Sequence, residues 1–265
     1  MSKLANRVLV VIGGTAGVGL SAAKAFVTEG ATVVVVGRNV ENVKAAQKAL
    51  GKSAEALAGD ASDPKTAAQA IQTALKTFGA FHGLYHVAGG SGRKKGDGPL
   101  HDITDEGWQY TSQLNLTSLF YSNRAAAREF LHQKSGGSIL NMSSVLGWSP
   151  SPKFFSTHAY AATKAAAIGL TKSAAACYAK QNIRFNVLAP ALVADLSHER
   201  ADFLRPCHSF IGIEVDIVAR QRLARRRRGD CLDAGTAQIN ANGIRRVSHD
   251  NEGSRITDFG KMTRS

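Results

Sequence analysis

Short runs of apolar residues alternate with amphipathic segments along the first 200 residues of the chain. Runs of four to six residues, two of them rich in valine, predict buried strands over 8–12, 32–36, 54–57, 84–87, 138–142 and 183–188. Segments with apolar residues at helical spacing predict helices over 20–29, 40–50, 64–78, 108–133 and 158–180. Strands that alternate with helices build βαβ units. The pattern therefore predicts an α/β fold, a single Rossmann-like, doubly wound domain with a parallel six-stranded sheet flanked by helices.

The choice of basic residue changes near residue 200 and divides the chain into a domain over 1–199 and an Arg-rich tail over 200–265. The domain contains 14 Lys and 6 Arg, whereas the tail contains 1 Lys and 12 Arg. Apolar periodicity is poor in the tail, so we expect the tail to be poorly ordered. Two hypotheses explain the change. Residues from about 195–205 onward are translated out of frame or otherwise replaced, or the tail is a true divergent segment with its own role.

Composition and cysteine content exclude several classes of protein. The hydrophobic share of 44% and the charged share of 20% are typical of a soluble globular protein and not of a disordered chain. Three cysteines, at positions 177, 207 and 231, do not fit a disulfide scaffold or a zinc site, and they favour a cytoplasmic setting. We expect Cys177 to be buried in its helix. The longest apolar runs are too short to cross a membrane, and we recognise no signal peptide.

The net charge of +13 favours an acidic ligand such as a phosphate, a nucleotide or nucleic acid. The arginine run 225–228 is a candidate for nucleic-acid contact, but no aromatic residues interleave with it. A solvated charge run is therefore the favoured interpretation, and nucleic-acid binding is the weaker alternative. No metal site is predicted.

A glycine-rich turn joins the first predicted strand to the first predicted helix. It reads Gly13-Gly14-Thr15-Ala16-Gly17-Val18-Gly19. Glycines let a ligand approach the backbone closely, and the N–H groups at the start of the next helix attract phosphate. A P-loop is excluded because no Gly-Lys-Ser/Thr step is present. Within a βαβ unit the turn predicts a dinucleotide site, with an ordinary strand–helix turn as the alternative.

The end of the second predicted strand distinguishes the two nicotinamide cofactors. NAD-binding chains place Asp or Glu there, where it binds the ribose 2′-hydroxyl group. Here the chain reads Val36-Gly37-Arg38-Asn39, with no acid and with an arginine that can pair with a 2′-phosphate. The sequence therefore predicts NADP(H) as the preferred cofactor and NAD(H) as the alternative. The other interpretation of Arg38 is an exposed arginine at a strand end.

Tyr160 and Lys164 lie one helical turn apart at the start of an alanine-rich predicted helix. An ammonium group near a phenol stabilises the phenolate, which lowers the phenol pKa and suits tyrosine to general acid/base catalysis. Ser143 and Ser144 follow the fifth predicted strand, and open α/β sheets bind ligands at the carboxyl ends of their strands. An ordinary surface pair is the alternative for Tyr160 and Lys164, but the serines favour a catalytic group.

The glycine turn, Ser144, Tyr160 and Lys164, in this order, resemble the classical short-chain dehydrogenase/reductase family over about residues 4–195. The resemblance implies reversible hydride transfer between NAD(P) and a small-molecule carbonyl compound or secondary alcohol. It implies that Tyr160 donates or accepts the proton, that Lys164 lowers the pKa of Tyr160 and binds the nicotinamide ribose, and that Ser144 binds the substrate oxygen. It also implies a homo-oligomer, either a dimer or a tetramer.

The same resemblance assigns the other site residues. Asn115 matches the helix asparagine that holds a proton-relay water, and Asp60 matches the acid beside the adenine ring, whereas Ser143 is a structural residue. The predicted catalytic residues are Asn115, Ser144, Tyr160 and Lys164. The predicted cofactor-binding residues are Gly13, Thr15, Gly17, Val18, Gly19, Arg38, Asp60, Ala61, Ala88, Gly89, Tyr160, Lys164 and Pro190.

Three departures from the family pattern support a second hypothesis, a catalytically impaired or non-catalytic dinucleotide-binding relative. His86 and Val87 stand where the family has two asparagines, although Ala88 and Gly89 are kept, and we expect His86 to be a packed or capping residue rather than a ligand. Asp195 replaces a threonine that would meet the cofactor, and a carboxylate there would repel the pyrophosphate. The tail lacks the family's Val-Asp-Gly-Gly signal, which leaves a seventh strand in doubt.

Two segments allow two interpretations each. The basic, glycine-rich segment 91–99 either overhangs the active site or is a solvated loop. Segment 149–157 either lines the substrate pocket with aromatic residues or is a packing loop.

Overall fold

Strands form where the apolar runs predict them. The computed structural model describes residues 2–152, 155–191, 236–240 and 243–244. The strands are β1 Val8–Ile12, β2 Thr32–Gly37, β3 Ala54–Ala58, β4 Gly83–His86, β5 Gly137–Met142, β6 Ile183–Pro190, β7 Thr236–Asn240 and β8 Gly243–Ile244. The first six confirm the predicted strands, with ends that differ by at most two residues.

Helices connect these strands. They are α1 Gly17–Thr28, α2 Val40–Leu50, α3 Thr66–Phe78, α4 Asp105–Ser112, α5 Ser118–Gln133 and α6 His158–Tyr178. The prediction of one regular helix over 108–133 is wrong, because a π-helical turn at Gln113–Thr117 separates α4 from α5. Such turns are found mostly as local widenings of helices, often at functional sites. None of the helices in the described residues is long and apolar enough to span a membrane.

The first six strands are parallel, in the order β3-β2-β1-β4-β5-β6. In the central pairs, Val10 lies beside Val34 of β2 on one side and Leu84 of β4 on the other. The chain builds outward from β1 to β3 and then returns to build outward from β4 to β6. Ligands of open α/β sheets bind at the carboxyl ends of the strands where the order reverses, which here lies between β1 and β4.

Hydrophobic side chains pack on both faces of the sheet. Val10 and Ile12 belong to a core cluster that includes Phe130 of α5, whereas Leu9 and Val11 belong to a cluster that includes Phe26 of α1. Successive side chains of a strand point to opposite faces, so a strand covered by helices on both sides is apolar throughout. This packing confirms the doubly wound domain and explains the continuous apolar runs.

Two further strands extend the sheet beyond β6. β7 is antiparallel to β6, with Ile239 beside Val187, and β8 is antiparallel to β7. A seventh strand is therefore present at this edge, but it runs antiparallel to the other six and lacks the Val-Asp-Gly-Gly signal of the family's seventh strand. β7 gives the backbone of β6 a hydrogen-bonding partner that an edge strand would lack.

The prediction that Cys177 is buried is wrong, since this cysteine is exposed. The buried residues of α6 end at Thr171, and Cys177 lies beyond them near the end of the helix. The other expectations about the tail concern residues outside the described part of the chain: Asp195, Cys207, Cys231, the arginine run 225–228 and the poor order expected of most of 200–265.

Candidate active site

The predicted site residues lie along the carboxyl edge of the sheet in two groups. The first group consists of the glycine turn after β1, Arg38 after β2 and Asp60 after β3. The second group follows β4 and β5 and includes the first turn of α6; its members are Ala88, Gly89, Asn115, Ser144, Tyr160 and Lys164. Both groups border the point where the strand order reverses, as a dinucleotide site requires.

The backbone of the glycine turn is packed too closely for side chains. The N–H groups of Gly13 and Gly14 both donate to the carbonyl of Val36 in β2, each at 2.9 Å. Gly13 has a φ of +87°, and a Cβ atom there would lie 2.6 Å from the backbone nitrogen of Ala88. A Cβ atom on Gly19 would clash with the carbonyl oxygen of Gly13. The turn thereby brings the segments after β1 and β4 into contact.

The start of α1 suits an anionic ligand. Within the described residues, Ala16 provides no side-chain cap for α1, and the first turn of the helix contains no acid. The first N–H groups of a helix have no partner inside it and carry the positive end of the helix dipole. The N–H groups of Gly17, Val18 and Gly19 therefore fit the pyrophosphate of a dinucleotide.

Gly19→Ala tests the close packing of this turn. The new methyl group would displace the backbone at Gly13, so we expect the free energy of unfolding to fall by about 1–3 kcal/mol. Gly169→Ala in α6 is the matched control, because a Cβ atom there meets nothing within 4 Å. We expect that control to gain about 0.5–1 kcal/mol, since glycine is a poor helix former. Urea unfolding measures both, and equal effects of the two substitutions would contradict the packing described.

Arg38 and Asp60 form a partly exposed ion pair, with 4.0 Å between Arg38 Nη1 and Asp60 Oδ2. Burial alone would raise the pKa of Asp60, but hydrogen bonds from the backbone N–H and hydroxyl of Ser62, each 2.8 Å, and the charge of Arg38 lower that pKa below its usual value. A surface ion pair of this kind contributes little to stability. Arg38 can therefore exchange Asp60 for a phosphate group at low cost.

The remaining predicted cofactor residues line the same edge of the sheet. Thr15 is buried, with its hydroxyl against Gly37 at the end of β2. The backbone N–H of Ala88 donates to the carbonyl of Ile12 at 2.9 Å. The others are Val18 in the first turn of α1, Ala61 after β3 and Pro190, the last residue of β6.

Ser144 and Tyr160 meet across two elements of the fold. Ser144 follows β5 and Tyr160 lies in the first turn of α6, and the Ser144 side chain lies near enough to the Tyr160 phenol to lower the pKa of that phenol. The Oγ atom of Ser144 also accepts from the N–H of Leu146 at 3.2 Å. Ser143 is buried and donates to the carbonyl of Lys164 at 2.8 Å, which confirms its structural role.

Lys164 lies beside Tyr160 and is buried. Its Nζ atom is 5.5 Å from the centre of the Tyr160 ring and donates to the carbonyl of Met142 at 3.1 Å. Only 3% of Lys164 is exposed, so the two residues do not form a surface pair. Burial lowers the pKa of Lys164 to about 8.

The pKa of Tyr160 is raised above its ordinary value, whereas the family resemblance implies a lowered one. Burial of the phenol is the main cause, and the Ser144 side chain acts in the opposite direction. The ammonium group of Lys164 lies over the Tyr160 ring and donates to the carbonyl of Met142. Tyr160 is therefore protonated at neutral pH, which is the form of a proton donor.

Lys164→Met tests the burial of this ammonium group. Because the pKa of Lys164 falls from 10.5 to about 8 on folding, the unfolded chain binds more protons than the folded chain between these values. The wild type should therefore gain about 2–3 kcal/mol relative to the variant as the pH rises from about 7 to about 10. Urea unfolding of both proteins at the two pH values measures this gain, and a pH-independent difference in stability would contradict it.

Asn115 is fixed inside the π-helical turn. Its side-chain amide donates to the carbonyls of Gly90 and Thr111, at 2.9 and 3.0 Å, and its Oδ1 atom accepts from the N–H of Gly90 at 3.0 Å. A Cβ atom on Gly89 would lie 2.7 Å from Asn115 Oδ1 and 3.2 Å from Lys164 Nζ. Asn115 and Lys164 thus meet at Gly89, so the structure brings all four predicted catalytic residues into one group.

A family model agrees with this arrangement. The model described as short chain dehydrogenase matches residues 7–202, which is most of the chain. The chain belongs to the short chain dehydrogenase family. The six parallel strands and the two groups of site residues all fall within the matched segment, and the Arg-rich tail lies beyond it.

Relatives of this family member are named dehydrogenases. The chain is 34% identical over 194 residues to the 3beta-hydroxysteroid dehydrogenase of Mediterraneibacter gnavus, over 72% of this chain and 67% of that protein. It is 32% identical over 198 residues to a cyclohexanol dehydrogenase of an Acinetobacter species, over 72% and 75% of the two proteins. The chain is thereby identified as a short-chain dehydrogenase/reductase.

Solved structures of the family share the fold. A short-chain type dehydrogenase/reductase from Mycobacterium ulcerans is 28% identical, with a TM-score of 0.68 over 74% of this chain and 71% of that one. NAD+-bound xylitol dehydrogenase is 25% identical, with a TM-score of 0.66 over 73% of each chain. Nicotinamide cofactor binding is thus a property of this fold family.

His86 is a packed residue in this short chain dehydrogenase, as predicted. It is fully buried in β4, with Nδ1 2.9 Å from Ser122 Oγ and Nε2 3.4 Å from Ser118 Oγ. Burial, together with the charge of Lys164, lowers the pKa of His86 to about 3, so the ring is neutral. Two serines of α5 therefore hold the side chain that replaces the family's asparagine.

One residue beside the site is missing from the sequence predictions. Asp97 is buried and accepts hydrogen bonds from the backbone N–H groups of Ala159 and Tyr160 at 3.0 Å. Periodicity cannot reveal a contact across 62 residues of chain. The local signal is only that of a turn, an acid between two glycines before Pro99. Segment 91–99 therefore packs against the site at Asp97, rather than being solvated throughout.

Segments 91–99 and 149–157 also meet each other. The guanidinium carbon of Arg93 lies 5.7 Å from the ring centre of Phe155, within the range of a cation–π contact. Both segments therefore pack near the start of α6. Residues 153 and 154 of the second segment, and Asp195, lie outside the described residues.

Proposed function

We propose that this chain is an NADP-preferring oxidoreductase that transfers a hydride between the nicotinamide cofactor and a carbonyl compound or secondary alcohol. The observation that carries the proposal is the buried Lys164 beside the Tyr160 ring, with the Ser144 side chain near the Tyr160 phenol at the carboxyl edge of the sheet. The proposal includes a cytoplasmic homo-oligomer, a dimer or a tetramer, as the family resemblance implies.

The first group of residues would hold the adenosine half of the cofactor. The N–H groups of the glycine turn and of the start of α1 would bind the pyrophosphate, and Arg38 would bind the 2′-phosphate. Asp60 and Ala61 would lie beside the adenine ring. Ala88, Gly89, Lys164 and Pro190 would hold the nicotinamide half, and the cofactor, when bound, supplies the hydride.

Tyr160 would act as general acid in carbonyl reduction. The Ser144 hydroxyl would bind the substrate oxygen, and Tyr160 would give that oxygen its phenol proton as the carbonyl carbon is reduced. The raised pKa of Tyr160 favours this direction, because it keeps the phenol protonated. The Lys164 ammonium group would then return a proton to Tyr160 and regain one from solvent through the relay water that Asn115 would hold, with Asn115 kept in place by Gly90.

The substrate class follows from the relatives. A 3beta-hydroxysteroid dehydrogenase and a cyclohexanol dehydrogenase are both similar to this chain, and both are named for alcohols on carbon rings. We therefore propose cyclic ketones and cyclic secondary alcohols as the substrates to test first.

A second candidate is a cofactor-binding relative without turnover. It is favoured by the family match, which ends at residue 202, so that the tail supplies no matched residues to the substrate pocket.

The two hypotheses about the origin of the tail are distinguished by translating the gene in its three reading frames. A single open frame, with no family-like tail in the others, would contradict translation out of frame.

A turnover assay with the full-length protein tests the proposed function. NADPH and NADH are each incubated with a panel of cyclic ketones, and the loss of reduced cofactor is followed by absorbance. We expect ketone-dependent oxidation of NADPH that is faster than that of NADH. Cofactor binding without turnover would favour the second candidate, and salt-sensitive polynucleotide binding that is lost with residues 200–265 would favour nucleic-acid binding.

A further inference from the structure

The first turn of α6 takes its cap from a distant segment. The first N–H groups of a helix need partners outside the helix, and within the described residues the side chain of Thr157 at the N-cap supplies none. The N–H of His158 donates to the carbonyl of Gly98 at 3.2 Å. The N–H of Ala159 donates to Asp97 Oδ1, and that of Tyr160 donates to Asp97 Oδ2, each at 3.0 Å.

Asp97 is itself held rigidly. Only 4% of it is exposed, and its N–H donates to the carbonyl of Gly92 at 3.1 Å. The preceding Gly96 has a φ of +96°, and its carbonyl accepts from the N–H of Thr104 at 3.2 Å. The Thr104 hydroxyl in turn caps α4 by accepting from the N–H of Gly107 at 3.0 Å. The carboxylate is therefore fixed relative to α4 and, through it, to the π-helical turn that carries the Asn115 amide.

We propose that Asp97 is a positioning residue for Tyr160. Its two carboxylate oxygens bind two consecutive N–H groups, one of which belongs to Tyr160, so they fix the backbone from which the phenol extends. The hydroxyl of Ser144 approaches that phenol from another element, the segment after β5. A small shift of the α6 terminus would therefore change the distance between the two hydroxyls. The inference rests on the proposed role of Tyr160 as proton donor.

A carboxylate is well suited to this task. Hydrogen bonds from N–H groups to a charged oxygen are stronger than those to a neutral oxygen. A negative charge at a helix N-terminus is also stabilised by the helix dipole. An asparagine in the same position would accept from one of the two N–H groups through its oxygen and would present an NH₂ group to the other.

Asp97→Ala and Asp97→Asn test the inference in the full-length protein. Asp102→Asn is the matched control, because Asp102 is a nearby acid whose side chain is 67% exposed and pairs with His101. Three quantities are measured: kcat and KM with NADPH and the best ketone, the Kd for NADPH, and amide hydrogen exchange of the peptide that contains Ala159 and Tyr160 in the NADPH-saturated protein.

We expect Asp97→Ala to speed exchange at Ala159 and Tyr160 and to lower kcat about tenfold, since small misplacements of a reacting group cost much of the rate. The Kd for NADPH should change by less than about twofold, because the lost interaction acts on the reacting group rather than on cofactor binding. The exchange rate and the kcat of Asp97→Asn should fall between those of the wild type and of Asp97→Ala. If the alanine variant does not fold, Asp97→Asn alone tests the inference. Asp102→Asn should match the wild type in all three quantities.

Two results would overturn the inference while the wild type is active. One is unchanged exchange in both Asp97 variants, and the other is faster exchange with unchanged kcat, which would make Asp97 a structural cap only. A wild-type protein that binds NADPH but reduces none of the ketones would overturn the proposed function, and this inference with it.

Discussion

Tyr160→Phe should lower kcat for ketone reduction with NADPH by about 10²–10⁴-fold, the usual contribution of a positioned general acid. The phenylalanine ring keeps the packing beside Lys164 but lacks the hydroxyl that lies near Ser144. The other predicted cofactor-binding residues are unchanged, so the Kd for NADPH should change far less than kcat. Steady-state rates and a fluorescence titration with NADPH measure the two effects separately.

Tyr178→Phe is the matched control for this substitution. Tyr178 ends the same helix, and its ring stacks on Phe185 with 5.7 Å between the ring centres, at the far end of α6 from Tyr160. We expect the control to keep the wild-type kcat. A Tyr160→Phe variant as active as Tyr178→Phe would mean that Tyr160 is not the proton donor.

Arg38→Ala should weaken NADPH binding about tenfold to hundredfold and leave NADH binding unchanged. A charge-assisted hydrogen bond to a phosphate contributes about 1.5–3 kcal/mol, and only NADPH has the 2′-phosphate. The interaction that Arg38 loses when it binds the phosphate is weak. Its ion pair with Asp60 spans 4.0 Å, and more than 40% of each side chain is exposed. Fluorescence titrations of both cofactors against both proteins measure the change in preference.

Lys44→Ala controls for the general loss of a positive charge. Lys44 is exposed on α2, where it pairs with Glu41 at 3.0 Å. We expect both cofactors to bind this variant as they bind the wild type. If Arg38→Ala weakened NADPH and NADH binding equally, Arg38 would not read the 2′-phosphate.

The strands could be predicted because the sheet is covered on both faces. Val10 and Val11 point to opposite faces, yet both are fully buried, so a strand needs no alternation of polar and apolar residues to be recognised. The glycine turn could be predicted because close backbone contacts restrict its residues, as Gly13 against Ala88 demonstrates. Packing of this kind restricts which residues can occupy each position, so it can be recognised in the sequence.

Other features depend on contacts between distant segments. The residues around Asn115 have ordinary helical spacing in the sequence, which does not predict a π-helical turn. The contact of Asn115 with Gly90 at this turn is seen only in the structure. The cap that Asp97 gives α6 joins segments 62 residues apart. The antiparallel direction of β7 likewise depends on a pairing with β6 that no local pattern encodes.

The direction in which the Tyr160 pKa shifts also depends on contacts that the local sequence does not determine. The spacing of Tyr160 and Lys164 places them on one helix face and suggests that the ammonium group lowers the phenol pKa. In the fold the phenol is buried, and burial decides the direction in which its pKa moves. Spacing shows which groups are neighbours, whereas burial and bonding partners set their protonation.

A fluorescence titration of the full-length protein with NADPH, with NADH alongside, shows whether this edge of the sheet binds a dinucleotide. We expect saturable binding of NADPH that is tighter than that of NADH, because the glycine turn would bind the pyrophosphate and Arg38 would bind the 2′-phosphate. Absence of saturable binding for both cofactors would mean that this edge of the sheet does not form a dinucleotide site.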